Sequence, residues 1–397
     1  LDEDKLKGEN TLPVPVMVKR LPQSESASSD IHRFWAQTGS MYASGLGESI
    51  PADPFTSMSL MPAVTSHFRD MTGIRFEHPE FIPENCTACG DCYTVCPDTA
   101  IPGLVNETGQ VLDTVVNRMK KAGRPTNHLP RAVRQMDMKL KKLLAAAGET
   151  ESVTKIIGQA IEETIAGYDG GPAEIEQLTA EFKDFREELG TFQFALSRPY
   201  FTNPEKKQAG NGGLLSITVD PYTCKGCMEC VEVCNDDALV PVTQTKESVA
   251  DLRKNWDFWL DLPNTPEKYI RVDNLEEGIG ALETILLNKD ADLPFASGDG
   301  SCIGCGEKTA MHLFVATVES LMQPRVKKHV AYLDELIAKL KKYVQMKLVD
   351  EIDIGDAKEM QAVLSDNSGA ELTLASIAES VERTSEAEPI DRQWLQY

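Results

Sequence analysis

At 397 residues the chain is long enough for two or three domains, and its 41% hydrophobic content is that of a folded protein. A net charge of −22 argues against nucleic acid as a partner. No run of about 18 apolar residues occurs, so neither a membrane-spanning helix nor a membrane partner is expected.

The chain opens on Leu1-Asp2-Glu3-Asp4, without the basic start of a signal peptide, and reads as a cut end. Residues 1–80 read as a connecting segment. Leu21 to Ser29 (LPQSESASS) is a polar surface linker. Gly45-Leu46-Gly47 is too short for a dinucleotide loop. Trp35, Phe55, Phe68 and Phe76 are expected to pack.

Residues 81–245 form the next expected domain, and cysteine spacing dominates it. Eight of the ten cysteines make two copies of one pattern, C-x2-C-x2-C-x3-C: Cys86, Cys89, Cys92, Cys96, then Cys224, Cys227, Cys230, Cys234. Phe81-Ile82-Pro83 and Thr99-Ala100-Ile101 flank the first. Leu215 to Asp220, an alternating strand, and Ala238 to Val242 flank the second. Each half therefore reads strand, ligand loop, short helix, strand. Between the halves lie 127 residues, 97 to 223, with a helical insertion at about 106–214. Its apolar residues recur at helical spacing: Val133, Met136, Leu140, Leu143, Leu144; Val153, Ile156, Ile157, Ala160, Ile161, Ile165; Ile175, Leu178, Phe182, Phe185. Gly148, Gly170, Gly171 and Pro172 punctuate it. Residues 118–142 hold nine Lys or Arg against one acid, Asp137. That is either a solvated helix face or a docking patch for an acidic electron acceptor.

Residues 246–300 read as a connector in which Trp256–Leu262 and Leu275–Leu287 form a loop and a helix. Residues 301–397 open on Gly300-Ser301-Cys302-Ile303-Gly304-Cys305-Gly306-Glu307. Val326, Val330, Leu333, Ile337, Leu340 and Val344 then make a heptad-like seam, with Leu372–Val381 as its expected partner in a helical hairpin. The seam is expected to be packing without a catalytic role.

The two cysteine runs match the pattern that holds [4Fe–4S] cubanes in bacterial two-cluster ferredoxins, in which the fourth cysteine of each run serves the other cluster. Crossed ligation is therefore expected. Cluster one takes Cys86, Cys89, Cys92 and Cys234; cluster two takes Cys224, Cys227, Cys230 and Cys96. Zinc would use paired C-x2-C and leave half the thiols without a role, and the context is not that of a disulfide scaffold. Small residues at Thr87, Ala88, Gly90 and Gly226 let backbone N–H groups approach the sulfurs. Pro97 follows the first run in the usual way, whereas Asn235 replaces proline after the second. The expected class is α+β: a two-cluster bacterial-ferredoxin-like core with a large helical insertion, followed by a mainly helical C-terminal segment. Ligands that must stay reduced imply the cytoplasm.

The order of motifs, a double ferredoxin run with an insertion and then C-x-G-C-G-E before a helix, resembles the pyruvate:ferredoxin (2-oxoacid:acceptor) oxidoreductases. The matching stretches are Pro83–Ala100, Asp220–Val242 and Ser301–Phe314. The resemblance implies the electron-transfer portion of such an enzyme, carrying electrons from a thiamine-bound intermediate through [4Fe–4S] clusters to ferredoxin or flavodoxin. It also implies that Cys302 and Cys305 are part of a third, proximal [4Fe–4S] cluster. Glu307 would face thiamine diphosphate, as a carboxylate that favours its imino tautomer; a glutamate favoured by a helix N-terminus is the plain alternative. Finally, it implies a homodimer in the complete enzyme. Two further ligands of the third cluster are missing, and Gly298-Asp299-Gly300 lacks the later Asn of a thiamine–magnesium motif. The third cluster and thiamine diphosphate with Mg are thus expected only with the remaining domains of a longer protein, and this segment alone is not expected to be catalytically complete. Neither H-E-x-x-H nor G-x-S-x-G occurs. The competing expectation is a stand-alone ferredoxin-like electron carrier or an iron–sulfur subunit of another redox complex.

Overall fold

The computed structural model describes residues 13–24, 26, 29–270, 280–293 and 303–351. Cys302, Gly298-Asp299-Gly300, the first part of Leu275–Leu287, and Leu372–Val381 lie outside the described residues, as does the side chain of Val344. The chain divides into two units, Leu1–Gln323 and Pro324–Tyr397.

Four short strands frame the first unit: β1 (Glu77–Phe81), β2 (Gly103–Glu107), β3 (Gly213–Ile217) and β4 (Leu239–Thr243). They form two antiparallel pairs, β1 with β4 and β2 with β3. Each cysteine run therefore leaves one sheet and enters the other. The strand before the first run pairs with the strand after the second, and the strand after the first with the strand before the second. The registers are symmetric, with Phe81 opposite Leu239 and Gly103 opposite Ile217. Backbone bonds extend both ladders toward the cysteines, from Ile82 N to Ala238 O and from Asp220 N to Ala100 O.

Between β2 and β3 stand four long helices, Thr108–Lys121, Leu129–Ala146, Val153–Ala166 and Pro172–Leu189, and a short one, Asn203–Lys207. The first begins at a reciprocal cap, where the Gln110 side chain accepts from the Glu107 N–H. Each long helix buries one apolar face at helical spacing: Val133, Met136, Leu140 and Leu144 from the second, and Leu178, Phe182 and Phe185 from the fourth. The helix Lys246–Asp261 brings Trp256 and Trp259 into the same core, their rings stacked 4.8 Å apart. Met17, Val18 and Ile31, on short helices near the N-terminus, join it. A second core surrounds the cysteines and includes Phe81, Tyr93, Val105, Leu215, Ile217 and Leu239.

One packing expectation needs correction. Trp35, Phe55 and Phe68 do pack, through edge-on ring contacts. Phe76 does not: it is 88% exposed. Its backbone carbonyl accepts from Gln244 N, which continues the β1–β4 ladder and turns the side chain outward. The heptad-like seam has its expected partner, Leu372–Val381, outside the described residues. It lies on one helix, Gly306–Glu351, which runs through Pro324. Val326, Val330, Leu333, Ile337 and Leu340 are 40–50% exposed. A heptad stripe needs a facing helix to be buried, and none covers it among the described residues.

Candidate metal centres

The nested strand pairing dictates which cysteines meet. Cys96 lies seven residues before Gly103, and Cys224 lies seven after its partner Ile217. Cys86 lies five after Phe81, and Cys234 five before its partner Leu239. The fourth cysteine of each run is thereby carried to the first three of the other. Two cavities result. One, of about 400 Å³ with its mouth included, is lined by Cys86, Cys89, Cys92 and Cys234. The other, of about 360 Å³, is lined by Cys96, Cys224, Cys227 and Cys230.

The two loops share an unusual backbone. Positive φ occurs at the same three offsets from the first cysteine of each run: Ala88 and Gly226 (+67° and +68°), Gly90 and Met228 (+87° and +64°), Thr99 and Asp237 (+49° and +53°). Left-handed residues alternating with right-handed ones turn successive N–H groups to one side, a concavity that suits anions and cluster sulfurs. Gly226 is needed for a second reason, since a Cβ there would stand 2.5 Å from the Glu77 carbonyl oxygen.

Burial pushes the thiols up. Cys86 and Cys230 rise to about 12, and Cys92 and Cys96 well above the ordinary thiol value. Burial dominates each shift, and repulsion among neighbouring thiolates adds to it. Four thiolates will share such a space only when cationic metal offsets their charge. Among the described residues, no three His, Cys, Asp or Glu side chains converge on a single ion. A cubane asks for something else, one thiolate for each iron. Donor set, enclosure and N–H cradle all fit that group.

The surroundings of the two cavities differ. Cys89 is exposed, beside a groove lined by Glu84, Asp236, Arg198 and the Glu149–Thr150 turn. Thr87 Oγ1 donates to Asp236 there (2.6 Å). Around the second loop, charged side chains of both signs gather. Buried Arg75 donates to the carbonyls of Pro221 and Cys224 and to Gln244 Oε1. Lys225, between two ligand positions, is buried against Asp98 (3.0 Å). The segment at Cys305 seats on this side. A Cβ placed on Gly304 would lie 3.5 Å from the Cys227 Cβ, Lys308 reaches Asp98 (2.7 Å), and Thr309 Oγ1 donates to the Val95 carbonyl (3.4 Å). Cys305 is half-buried and Glu307 is exposed in the first turn of its helix. Sequence reasoning missed Asp98, Lys225, Lys308 and Arg75. Only Lys225 carried a local signal, its place inside a ligand loop.

Of the basic residues at 118–142, several are answered within the chain. Arg118 pairs with Glu188 and Asp261, Arg124 with Asp184 and Glu187, and Lys141 with Asp137. Lys120, Arg131, Arg134 and Lys142 are exposed.

No family model matches the chain. Parts of it are similar to known proteins. One stretch is 34% identical over 92 residues to a pyruvate dehydrogenase [NADP(+)] of Cryptosporidium parvum, covering 23% of this chain and 4% of that protein. Another is 29% identical over 123 residues to a putative pyruvate-flavodoxin oxidoreductase of Synechocystis sp., covering 28% of this chain and 9% of that protein. A third is 31% identical over 107 residues to a mitochondrial pyruvate dehydrogenase [NADP(+)] of Euglena gracilis, covering 27% and 5%. The resemblance read from the motifs is thus borne out: the chain is similar to oxidoreductases named for pyruvate. The matched stretch is a small part of each of these much longer proteins. No helix among the described residues is long and apolar enough to cross a membrane.

Proposed function

We propose that this chain is the electron-transfer portion of a 2-oxoacid (pyruvate-type):ferredoxin or flavodoxin oxidoreductase, with a two-cluster ferredoxin-like core. The observation that carries the reading is the pair of four-cysteine cavities with one backbone conformation repeated at the same offsets. Similarity to pyruvate-flavodoxin oxidoreductases supports the enzyme class. Cys86, Cys89, Cys92 and Cys234 would hold one [4Fe–4S] cluster; Cys96, Cys224, Cys227 and Cys230 would hold the other. When bound, the clusters would pass single electrons between the Cys305 side and the exposed Cys89 side. The chain's own part is to supply thiolates, exclude water with the apolar shell of Phe81, Tyr93, Leu215 and Leu239, and aim N–H groups at the sulfurs.

Cys302 and Cys305 would contribute to a third cluster, and Glu307 to a thiamine diphosphate site with Mg, each completed by other domains of a longer protein. The helix at Glu307 is built for such a neighbour. It turns His312, Ala316 and Ser320 inward and leaves Met311, Phe314, Val318 and Leu321 45–70% exposed. Large apolar residues on one exposed helix face ask for cover. The acceptor would dock near Arg118–Lys142, since helix Leu129–Ala146 leads directly into the Glu149–Thr150 wall of the groove beside Cys89. A cytoplasmic homodimer completes the proposal.

The test is anaerobic iron and sulfide analysis with reduced-state electron paramagnetic resonance (EPR), on the chain and on Cys96→Ser. About eight irons with spin-coupled signals are expected for the unaltered chain. Cys96→Ser should disturb the cluster of the opposite run, leaving the signal set by Cys86, Cys89 and Cys92 intact but uncoupled. Zinc, or no metal after anaerobic reconstitution, would overturn the reading. Loss of the first-run signal in Cys96→Ser would overturn the crossing.

A further inference from the structure

Three charged side chains from distant parts of the sequence meet at one carboxylate oxygen. The ammonium groups of Lys225 and Lys308 stand 3.0 and 2.7 Å from Oδ1 of Asp98. The Asp98 and Lys225 side chains are 4% and 3% exposed, and that of Lys308 is 21% exposed. A single Lys–Asp pair would already balance the Asp98 charge. The second ammonium comes from the first turn of the helix that follows Cys305. The arrangement therefore does more than neutralise Lys225.

Asp98 and Lys225 both line the cavity of Cys96, Cys224, Cys227 and Cys230, together with Glu229. Two carboxylates and one ammonium leave that wall at −1, and Lys308 brings it to zero. In a buried setting one unit of charge is felt strongly, because little water screens it. The helix N-terminus, with its partial positive charge, adds in the same sense. The first cavity has no counterpart: Asp236 is the charged residue on its wall. Reduction adds an electron, so cationic charge at the wall favours the reduced state.

We propose that Lys308 is a positioning residue that delivers positive charge to the second-loop cavity through Asp98, so that seating the Cys305 segment raises the midpoint potential of that cluster alone. The inference rests on the two-cluster reading above. It makes the seat of the neighbouring segment an electrical contact as well as a mechanical one.

The experiment is a redox titration of the full chain followed by EPR, with Lys308→Met, Lys308→Arg and Asp98→Asn, after iron content has been matched. Lys308→Met should lower one midpoint and leave the other in place, while Lys308→Arg keeps both. Asp98→Asn, which leaves two cations at the wall, should raise the same midpoint. This variant also serves should Lys308→Met lose its cluster. Unchanged midpoints in Lys308→Met, equal shifts of both, or an arginine variant that falls as far as methionine would overturn the inference. So would a fall, or no change, in Asp98→Asn. Absence of iron from the unaltered chain is a different failure, which removes the cluster reading and this inference with it.

Discussion

The two cysteine loops have the same backbone and different settings. The first keeps Ala88 where the second has Gly226, carries Asp236 on its wall and opens to solvent at Cys89. The second is pressed against β1, ringed by Arg75, Lys225 and Lys308, and lies beside the Cys305 segment. Spacing sets what such a loop can hold. The residues around it set how tightly it is packed and which charges it feels. A near-symmetric pair thus becomes two different settings, one open to solvent at Cys89 and one beside the Cys305 segment.

The sharpest way to break the comparison is to exchange residues between equivalent positions. Ala88→Gly should change stability by less than about 1 kcal/mol, because it relieves a left-handed alanine at some cost in chain entropy. Gly226→Ala is not its mirror. The new Cβ would stand 2.5 Å from the Glu77 carbonyl and 2.9 Å from the Arg75 side chain, and β1 cannot retreat without leaving β4. A loss of about 2–4 kcal/mol is expected from strain and overpacking. Denaturant melts of the iron-loaded variants would check it. Equal effects at the two positions would mean that the packing difference between the loops is not real.

Acid should separate the loops next. His312 is 5% exposed on the inward face of the helix that covers the second loop. Burial holds its pKa down to about 4, from an ordinary 6.5. The unfolded chain therefore binds the proton first. The stability of the neutral histidine is complete above pH 6.5 and is lost as pH falls from there toward 4, by at most about 3 kcal/mol. Hydrogen exchange at pH 7 and at pH 5 should show residues 306–320 loosening while the first loop keeps its protection. His312→Leu should remove that difference. Loosening that persists in the leucine variant would point to another titrating group.

The two four-cysteine runs were legible in the sequence because their spacing is local, and so were the insertion helices, whose apolar periodicity is local too. The setting of each loop was not. Asp98 and Lys308 are 210 positions apart, and Arg75 reaches Cys224 across 149. No pattern along the chain joins them until β1 finds β4. The left-handed turns were half hidden for another reason. Glycine signals such a turn at Gly90 and Gly226, but Ala88 and Met228 adopt it without any composition cue.

Phe76 offers the smallest effect and a check on which surfaces are free. The aromatic residues near the N-terminus were expected to pack alike, and this one stands 88% exposed at the edge of the second loop's support. Its backbone is in use, accepting from Gln244 N, while the Gln244 side chain donates to Thr72 and Arg75 carbonyls. Replacing the side chain leaves those bonds alone, so Phe76→Ser should change stability by no more than about 0.5 kcal/mol. Phe81, at the other end of β1, is 9% exposed against the first cavity, and Phe81→Ala should cost about 3 kcal/mol or more. A loss at Phe76 approaching that at Phe81 would mean that the exposed ring is covered in solution.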